Sequence, residues 1–186
     1  MKVFLRAFNI SDGEKIYPWL LEKKNQSHTG GNTFFASKDY VKKWVEEKIF
    51  DTKNLYFAIC SSETQEMIGY CSINNIDHRN RKAEGGGIIL GNKEYCNTGI
   101  AVEALYLGLE YAFEELNINM MWTYILEEHI AAIKNAERVG FRKTGVLPQS
   151  VYKGGKYHNQ IIMCILKEEY KPLSPSLNAA ISRQNK

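Results

Sequence analysis

The sequence predicts a mixed α/β (α+β) fold, a three-layer sandwich in which one sheet carries helices on both of its faces. Segments with alternating apolar residues, typical of strands, are interspersed with segments whose apolar residues recur every three or four positions, typical of helices. The early strands form a hairpin, whereas later strands are separated by helices, as in βαβ units. A hairpin combined with βαβ units predicts a sheet with both antiparallel and parallel pairs.

Strands and helices alternate from the start of the chain. Ser11 and Asp12 are typical of a helix N-cap, and Ser37 is expected to cap the next helix in the same way. A polar turn over 63–66 joins two apolar runs, which predicts a hairpin. The predicted elements of this half are a strand over 2–8, a helix over 11–23, a loop over 25–35, a helix over 37–49, and strands over 54–62 and 66–76.

The second half begins with a strand that contains three consecutive glycines and continues into a long central helix. A later helix is expected to end at Gly140, because glycine commonly follows the last helical residue. The predicted elements of this half are a strand over 83–91, a helix from Gly99 to Phe113, a strand over 120–126, a helix over 129–139, and strands over 141–147 and 156–166.

Composition limits the classes of function. The 186 residues fit one domain, expected over 1–170, with a polar, flexible tail over 171–186. A net charge of +3 is too small to favour nucleic acid as the main partner, and no apolar run is long enough to predict a membrane span. The four cysteines lack metal-ligand spacing and three lie in apolar runs, which predicts no metal site and a reducing, cytoplasmic location.

The start of the central helix lacks an acidic cap. The loop before it is small and polar, and Asn97, Thr98 and Gly99 lead directly into the helix. The first amide groups of a helix have no internal partner and carry partial positive charge, so such a terminus can hold a phosphate or diphosphate. The alternative is an ordinary strand-to-helix turn in which Thr98 is the cap.

The glycines Gly85–Gly87 interrupt the preceding strand. Glycine inside a strand usually marks a bulge or the close approach of a ligand or another backbone. A bulge here would separate this strand from its neighbour and open a slot beside the anion-binding loop. The alternative is a glycine-rich strand that is crossed by bulky Trp or Tyr side chains.

The runs INNIDHRNRKAEGGGIILGNKEYCNTGIAVEAL, NAERVGFRKTGVL and YKGGKYHNQIIMCIL together resemble the GCN5-related N-acetyltransferase (GNAT) superfamily, in its ribosomal-protein-alanine and spermidine acetyltransferase branch. The resemblance implies acetyl-CoA as cosubstrate. Gly99 and Ala101 match two fixed positions of the family's loop motif, whereas Cys96 stands where Gln or Arg is expected. The cofactor-binding residues that it implies are Cys96, Asn97, Thr98, Gly99, Ile100 and Ala101 for the pyrophosphate, Ile88, Ile89 and Leu90 for the pantetheine arm, and His129 and Asn135 on the later helix.

The resemblance also suggests how the reaction would proceed. Glu84 is the candidate for handling the amine proton, and the backbone amide around Ile89 is the candidate donor to the acyl oxygen. The alternative for Glu84 is a surface carboxylate paired with Arg81 or Lys82. The family's usual acid is a tyrosine at the position of Ala136, so that role has no candidate from the motif; Tyr152, Tyr157 and His158 lie in a segment that often borders the acceptor pocket.

The function predicted is acetyl transfer to a primary amine by direct attack in a ternary complex. The acceptor could be a peptide N-terminus, a polyamine, an amino sugar or an aminoglycoside, and a homodimer is possible. A non-catalytic acyl-CoA-binding or regulatory module is the alternative, since Cys96 and Ala136 depart from the family pattern. A nucleotide-binding protein of another class is disfavoured, because neither a P-loop lysine nor a GxGxxG run occurs.

Overall fold

The computed structural model describes residues 1–22 and 36–171. The predicted loop over 25–35 lies outside this range, as does the predicted tail except for Lys171. The helices of the described residues are α1 Asp12–Leu21, α2 Lys38–Ile49, α3 Ile100–Glu110 and α4 Ile130–Arg138. The strands are β1 Val3–Ala7, β2 Leu55–Ser61, β3 Met67–Asp77, β4 Lys82–Gly85, β5 Ile89–Leu90, β6 Met120–Leu126, β7 Arg142–Lys153 and β8 Lys156–Leu166.

The described strands form one mixed sheet in the order β1-β2-β3-β4-β6-β8-β7, with β5 paired to β3. The pair β4–β6 is parallel, whereas the other pairs are antiparallel. Since α3 connects β5 to the parallel strand β6, this part of the chain is a βαβ unit. The predicted mixed sheet with an early hairpin is therefore confirmed.

Helices cover both faces of the sheet, as the sequence predicts. On one face, α1 and α2 pack on a cluster that contains Phe8, Trp44, Tyr56 and Tyr70, whose rings lie 5.5–6.2 Å apart between centroids. On the other face, α3 and the residues around Phe113 cover the main apolar core. Burial of these apolar surfaces is the main contribution to the stability of the fold.

The two predicted serine caps have different outcomes. Ser37 accepts a hydrogen bond from the Tyr40 amide at 3.1 Å, so it caps α2 as expected. Ser11 makes no side-chain capping bond. The buried carboxylate of Asp12 instead accepts from the Asn9 amide at 2.8 Å and forms a two-point ion pair with the Arg6 guanidinium.

The ends of the central helix and of β7 differ from the prediction. The central helix is α-helical only to Glu110 and continues as a π-helical turn over Tyr111–Glu115. The strand expected to stop at 147 runs to Lys153, since an irregularity between Leu147 and Val151 accommodates the proline between them. The predicted end at Gly140 is confirmed, with φ of +102° and a bond from its amide to the Glu137 carbonyl. Among the described helices, none is both long and apolar enough to cross a membrane.

Candidate active site

A bulge separates β4 from β5. Gly86 lies opposite Ser72, to whose carbonyl its amide donates at 2.8 Å, whereas Ile89 lies opposite Tyr70. Two residues, Gly87 and Ile88, therefore face the single residue between Ser72 and Tyr70, which is the definition of a bulge. Beyond it β5 stays paired with β3 but has no pairing with β6, so the sheet opens between β5 and β6. The predicted slot is present.

The register defines which amides face this opening. The Gly91 amide donates to the Ile68 carbonyl at 2.8 Å, so the pair of Tyr70 with Ile89 is also hydrogen-bonded in the antiparallel alternation. The amide of Ile89 consequently points toward β3. The amides and carbonyls of Ile88 and Leu90 alternate with it and point into the opening. An extended ligand could pair with them as an added strand.

Close packing keeps the bulge in place. A Cβ added to Gly86 would lie 1.9 Å from the Ser72 Oγ and 2.9 Å from the Asn74 Nδ2. A small apolar cavity of about 30 Å³ lies between the bulge and α3, and its lining includes Gly86, Ile88 and Ala104. The glycine at position 86 is thus required for the close approach of β3, and the cleft has an apolar floor.

The N-terminus of α3 has no side-chain cap. Gly99 occupies the N-cap position with φ of +86°, and Asn97 also has a positive φ of 63°. The Thr98 hydroxyl donates to the Tyr95 carbonyl at 2.7 Å, so it stabilises the loop and does not cap the helix. The first-turn amides, including those of Ile100 and Ala101, have no partner within the helix. This arrangement suits an anionic group.

Both helix termini at the cleft lie on the same side of the sheet edge. The N-terminus of α3 follows β5, and the N-terminus of α4 follows β6, which runs parallel to β4. In open sheets, ligands commonly bind outside the carboxyl ends of such strands. His129 occupies the N-cap position of α4, and Asn135 lies half-buried further along it. The strand β5 and the N-termini of α3 and α4 are therefore grouped around one edge, with His129 at the start of α4.

Glu84 lies on the opposite wall of the cleft, on the face that α1 and α2 cover. It pairs with Asn74 across β3 and with Trp122 across β6, so these side chains share one face. Its Oε2 accepts from the Asn75 Nδ2 at 2.7 Å. The expected alternative partner Arg81 instead donates to Asn117 at 2.8 Å from Nε.

Tyr56 lies near enough to Glu84 to be affected by its charge. Burial is the main cause that raises the pKa of Tyr56, and the negative charges of Asp51 and Glu84 raise it further. The sequence analysis did not single out Asn74 or Asn75. Their signal is a polar pair, Asn74-Asn75, that interrupts the apolar strand between Ile73 and Ile76.

The side expected to hold the leaving thiol contains no hydroxyl at the family's tyrosine position. Ala136 is 3% exposed and packs in the core against α3. Tyr152 and Tyr157 lie at the tip of the β7–β8 hairpin, more than 60% exposed, and pack edge-to-face with their centroids 5.0 Å apart. The His158 Nδ1 lies 2.8 Å from the Glu128 Oε1. The described residues contain no group of three or more His, Cys, Asp and Glu side chains placed to bind a metal.

Comparison with known proteins agrees with this geometry. The family model "Acetyltransferase (GNAT) domain" matches residues 2–142. The putative ribosomal N-acetyltransferase YdaF of Bacillus subtilis is 27% identical over 91% of this chain and 93% of its own length. Spermidine N(1)-acetyltransferase of Escherichia coli is 32% identical over 67% of this chain and 65% of its own length.

A solved structure matches the fold more completely. Spermidine N-acetyltransferase from Vibrio cholerae in complex with CoA and spermine superposes with a TM-score of 0.83 and 24% identity, over 91% of this chain and 98% of that one. Its identity is low, so this likeness concerns the fold. Because the family model covers most of the chain, this protein belongs to the GNAT acetyltransferase family, whose cosubstrate is acetyl-CoA.

Proposed function

We propose that this chain is an N-acetyltransferase that transfers the acetyl group of acetyl-CoA to a primary amine by direct attack in a ternary complex. The observation that carries the proposal is the combination of two features. One is a helix N-terminus without a side-chain cap, and the other is a strand, β5, whose amides on the side away from β3 pair with no other strand of the described residues. These two features lie at one edge of the sheet. A diphosphate joined to an amide-containing arm matches both.

The backbone supplies the contacts proposed for the cosubstrate. The amides of Ile100 and Ala101 would hold the diphosphate, and Gly99 shapes the turn that exposes them. Ile88 and Leu90 would pair with the pantetheine arm. Cys96 carries no positive charge, so the loop relies on backbone donors at that position. Bound acetyl-CoA supplies an activated acyl group in the form of a thioester.

Different residues around the cleft take part in deprotonation of the amine and in stabilisation of the acyl oxygen. A lysine-like amine has a pKa near 10, so its ammonium form must lose a proton before it attacks. Glu84 accepts that proton, directly or through water, and the nitrogen lone pair then forms the new N–C bond. The Ile88 amide stabilises the negative charge that develops on the acyl oxygen. Sulfur leaves with the electron pair of the C–S bond and takes a proton from solvent, because position 136 is an alanine.

A polyamine is the acceptor class that the relatives' names favour. Two relatives named above are spermidine acetyltransferases, and the aromatic rings of the α1/α2 face could contact alkyl segments between amines. A ribosomal protein N-terminus is the second candidate, because the name of YdaF describes a ribosomal acetyltransferase. A cytoplasmic location, a homodimer and the absence of nucleic-acid binding stay predictions.

Release of free CoA tests the proposal. The protein would be supplied with acetyl-CoA and a panel of spermidine, spermine, an N-terminal ribosomal peptide and an aminoglycoside, and the products would be identified by mass spectrometry. We expect amine-dependent CoA release and one acetylated nitrogen. Tight acetyl-CoA binding without release over the whole panel would instead identify a non-catalytic module.

A further inference from the structure

One buried polar atom near the cleft lacks a partner. Within the described part of the chain, the Oδ1 of Asn74 is the one buried side-chain oxygen or nitrogen that makes no hydrogen bond. A buried group without a partner is costly, and most such groups in folded proteins are satisfied. An unpaired carbonyl oxygen at this position suggests that its partner is a ligand.

The residue opposite Asn74 carries a negative charge. Asn74 lies directly opposite Glu84 in the β3–β4 pair, with both side chains on the α1/α2 face. One carboxylate oxygen of Glu84 is fixed by the Asn75 amide, while the described residues donate no hydrogen bond to its Oε1.

Two oxygen acceptors, one of them charged, define the chemistry of the missing partner. A primary ammonium carries three N–H donors and a positive charge, so it satisfies the amide oxygen and the carboxylate together. An anion would be repelled by Glu84, and an apolar group would leave the Asn74 oxygen unpaired.

We propose that Asn74 Oδ1 and Glu84 form the subsite for the ammonium group of the acceptor. This inference rests on the proposed function and adds to it a residue that binds the substrate. Glu84 removes one proton from the nitrogen, and Asn74 continues to accept an N–H bond from the neutral amine. That bond orients the nitrogen, so its lone pair is directed away from Asn74 and toward the cleft below the bulge.

Binding of a simple probe tests the subsite without requiring turnover. The ¹⁵N-labelled protein saturated with CoA would be titrated with n-butylammonium, and the side-chain amide signals of Asn74 would be identified by their loss in Asn74→Leu. We expect these signals to shift in the wild type and the affinity to fall about 10- to 100-fold in Asn74→Leu, as for loss of a bond to a charged group. Asn74→Asp keeps an oxygen and adds charge, so it should bind at least as tightly as the wild type.

Thermal stability separates this role from a structural one. Because leucine removes the unpaired oxygen and keeps the branched shape of asparagine, Asn74→Leu should melt at or above the wild-type temperature. The matched control is Asn159→Leu on β8, where the amide is satisfied by Glu127 at 2.8 Å and Gln149 at 2.9 Å. That variant should melt at a lower temperature and bind n-butylammonium normally.

The outcomes distinguish failure of the subsite from failure of the function. Unmoved Asn74 signals, or equal n-butylammonium affinity in Asn74→Leu, would overturn the subsite. Binding that depends on Asn74 in a protein that never releases CoA would support the subsite and refute the acetyltransferase proposal.

Discussion

Replacing Gly99 by valine should weaken acetyl-CoA binding much more than it weakens the fold. Gly99 has φ of +86°, a conformation that costs an L-residue roughly 1–2 kcal/mol. Relief of that strain would rotate the turn and misdirect the amides of Ile100 and Ala101. A hydrogen bond to a charged group contributes about 1.5–3 kcal/mol, so the loss of one donor should raise the acetyl-CoA Kd about 10- to 100-fold.

The control is Gly155→Val in the β7–β8 turn. Gly155 has φ of +81°, and a Cβ added there meets nothing within 4 Å, so its backbone strain is similar without a steric clash. Isothermal titration calorimetry with acetyl-CoA and thermal melts would be measured for both variants. Both Tm values should fall by a similar amount, whereas only Gly99→Val should lose affinity. Equal, unchanged affinities would refute the reasoning about the helix terminus.

Three further substitutions test other parts of the account. Glu84→Gln should lower kcat about 10²- to 10⁴-fold at unchanged KM for acetyl-CoA, measured by CoA release; a wild-type kcat would remove Glu84 from the reaction. Gly86→Ala should lower both Tm and kcat because its Cβ meets Ser72, and Ser72→Gly in the same chain should restore part of the Tm; a lone Gly86→Ala variant with normal Tm would contradict the packing. Arg6→Met should reduce the free energy of unfolding at pH 7 by about 1–3 kcal/mol, since it leaves the Asp12 carboxylate without its cation.

The last variant also predicts a pH dependence. Burial alone would raise the pKa of Asp12, but the hydrogen bonds from Arg6 and Asn9 outweigh it, and the pKa is lowered from 3.8. A carboxylate with a lowered pKa stabilises the fold above its unfolded pKa, and this contribution is lost as the pH falls through the folded value. Urea titrations of the wild type below about pH 4 should therefore show a steeper loss of stability than those of Arg6→Met. Parallel curves for the two proteins would contradict this assignment.

Local sequence patterns were sufficient for much of the fold. The strands over 120–126 and 156–166 match their predicted bounds, because uninterrupted apolar or alternating runs end there at polar residues. The strand β7 was predicted too short, since a proline near its middle ends a strand by local rules, whereas pairing with β8 continues past it through an irregular register. Ser11 does not cap the helix, and the ordered side chain there is Asp12, which pairs with Arg6 on the preceding strand.

The same contrast between local patterns and strand pairing holds for the candidate site. Three glycines predicted the bulge, and the uncapped helix was visible as a run of small residues before Gly99. The direction of each amide was not predictable, because one residue of register on β3 decides whether Ile89 or its neighbours face the cleft. Asn74 was missed since its significance depends on the strand opposite it and on the lack of any donor to its oxygen.

The most direct measurement is an NMR titration of the ¹⁵N-labelled protein with CoA. The account predicts that the backbone amides of Ile88, Leu90, Ile100 and Ala101 shift downfield together as the coenzyme saturates the protein, while Ile89, bonded to β3, moves less. If CoA binds and the amides of Ile100 and Ala101 stay unchanged, the helix terminus does not hold the diphosphate and the account is wrong.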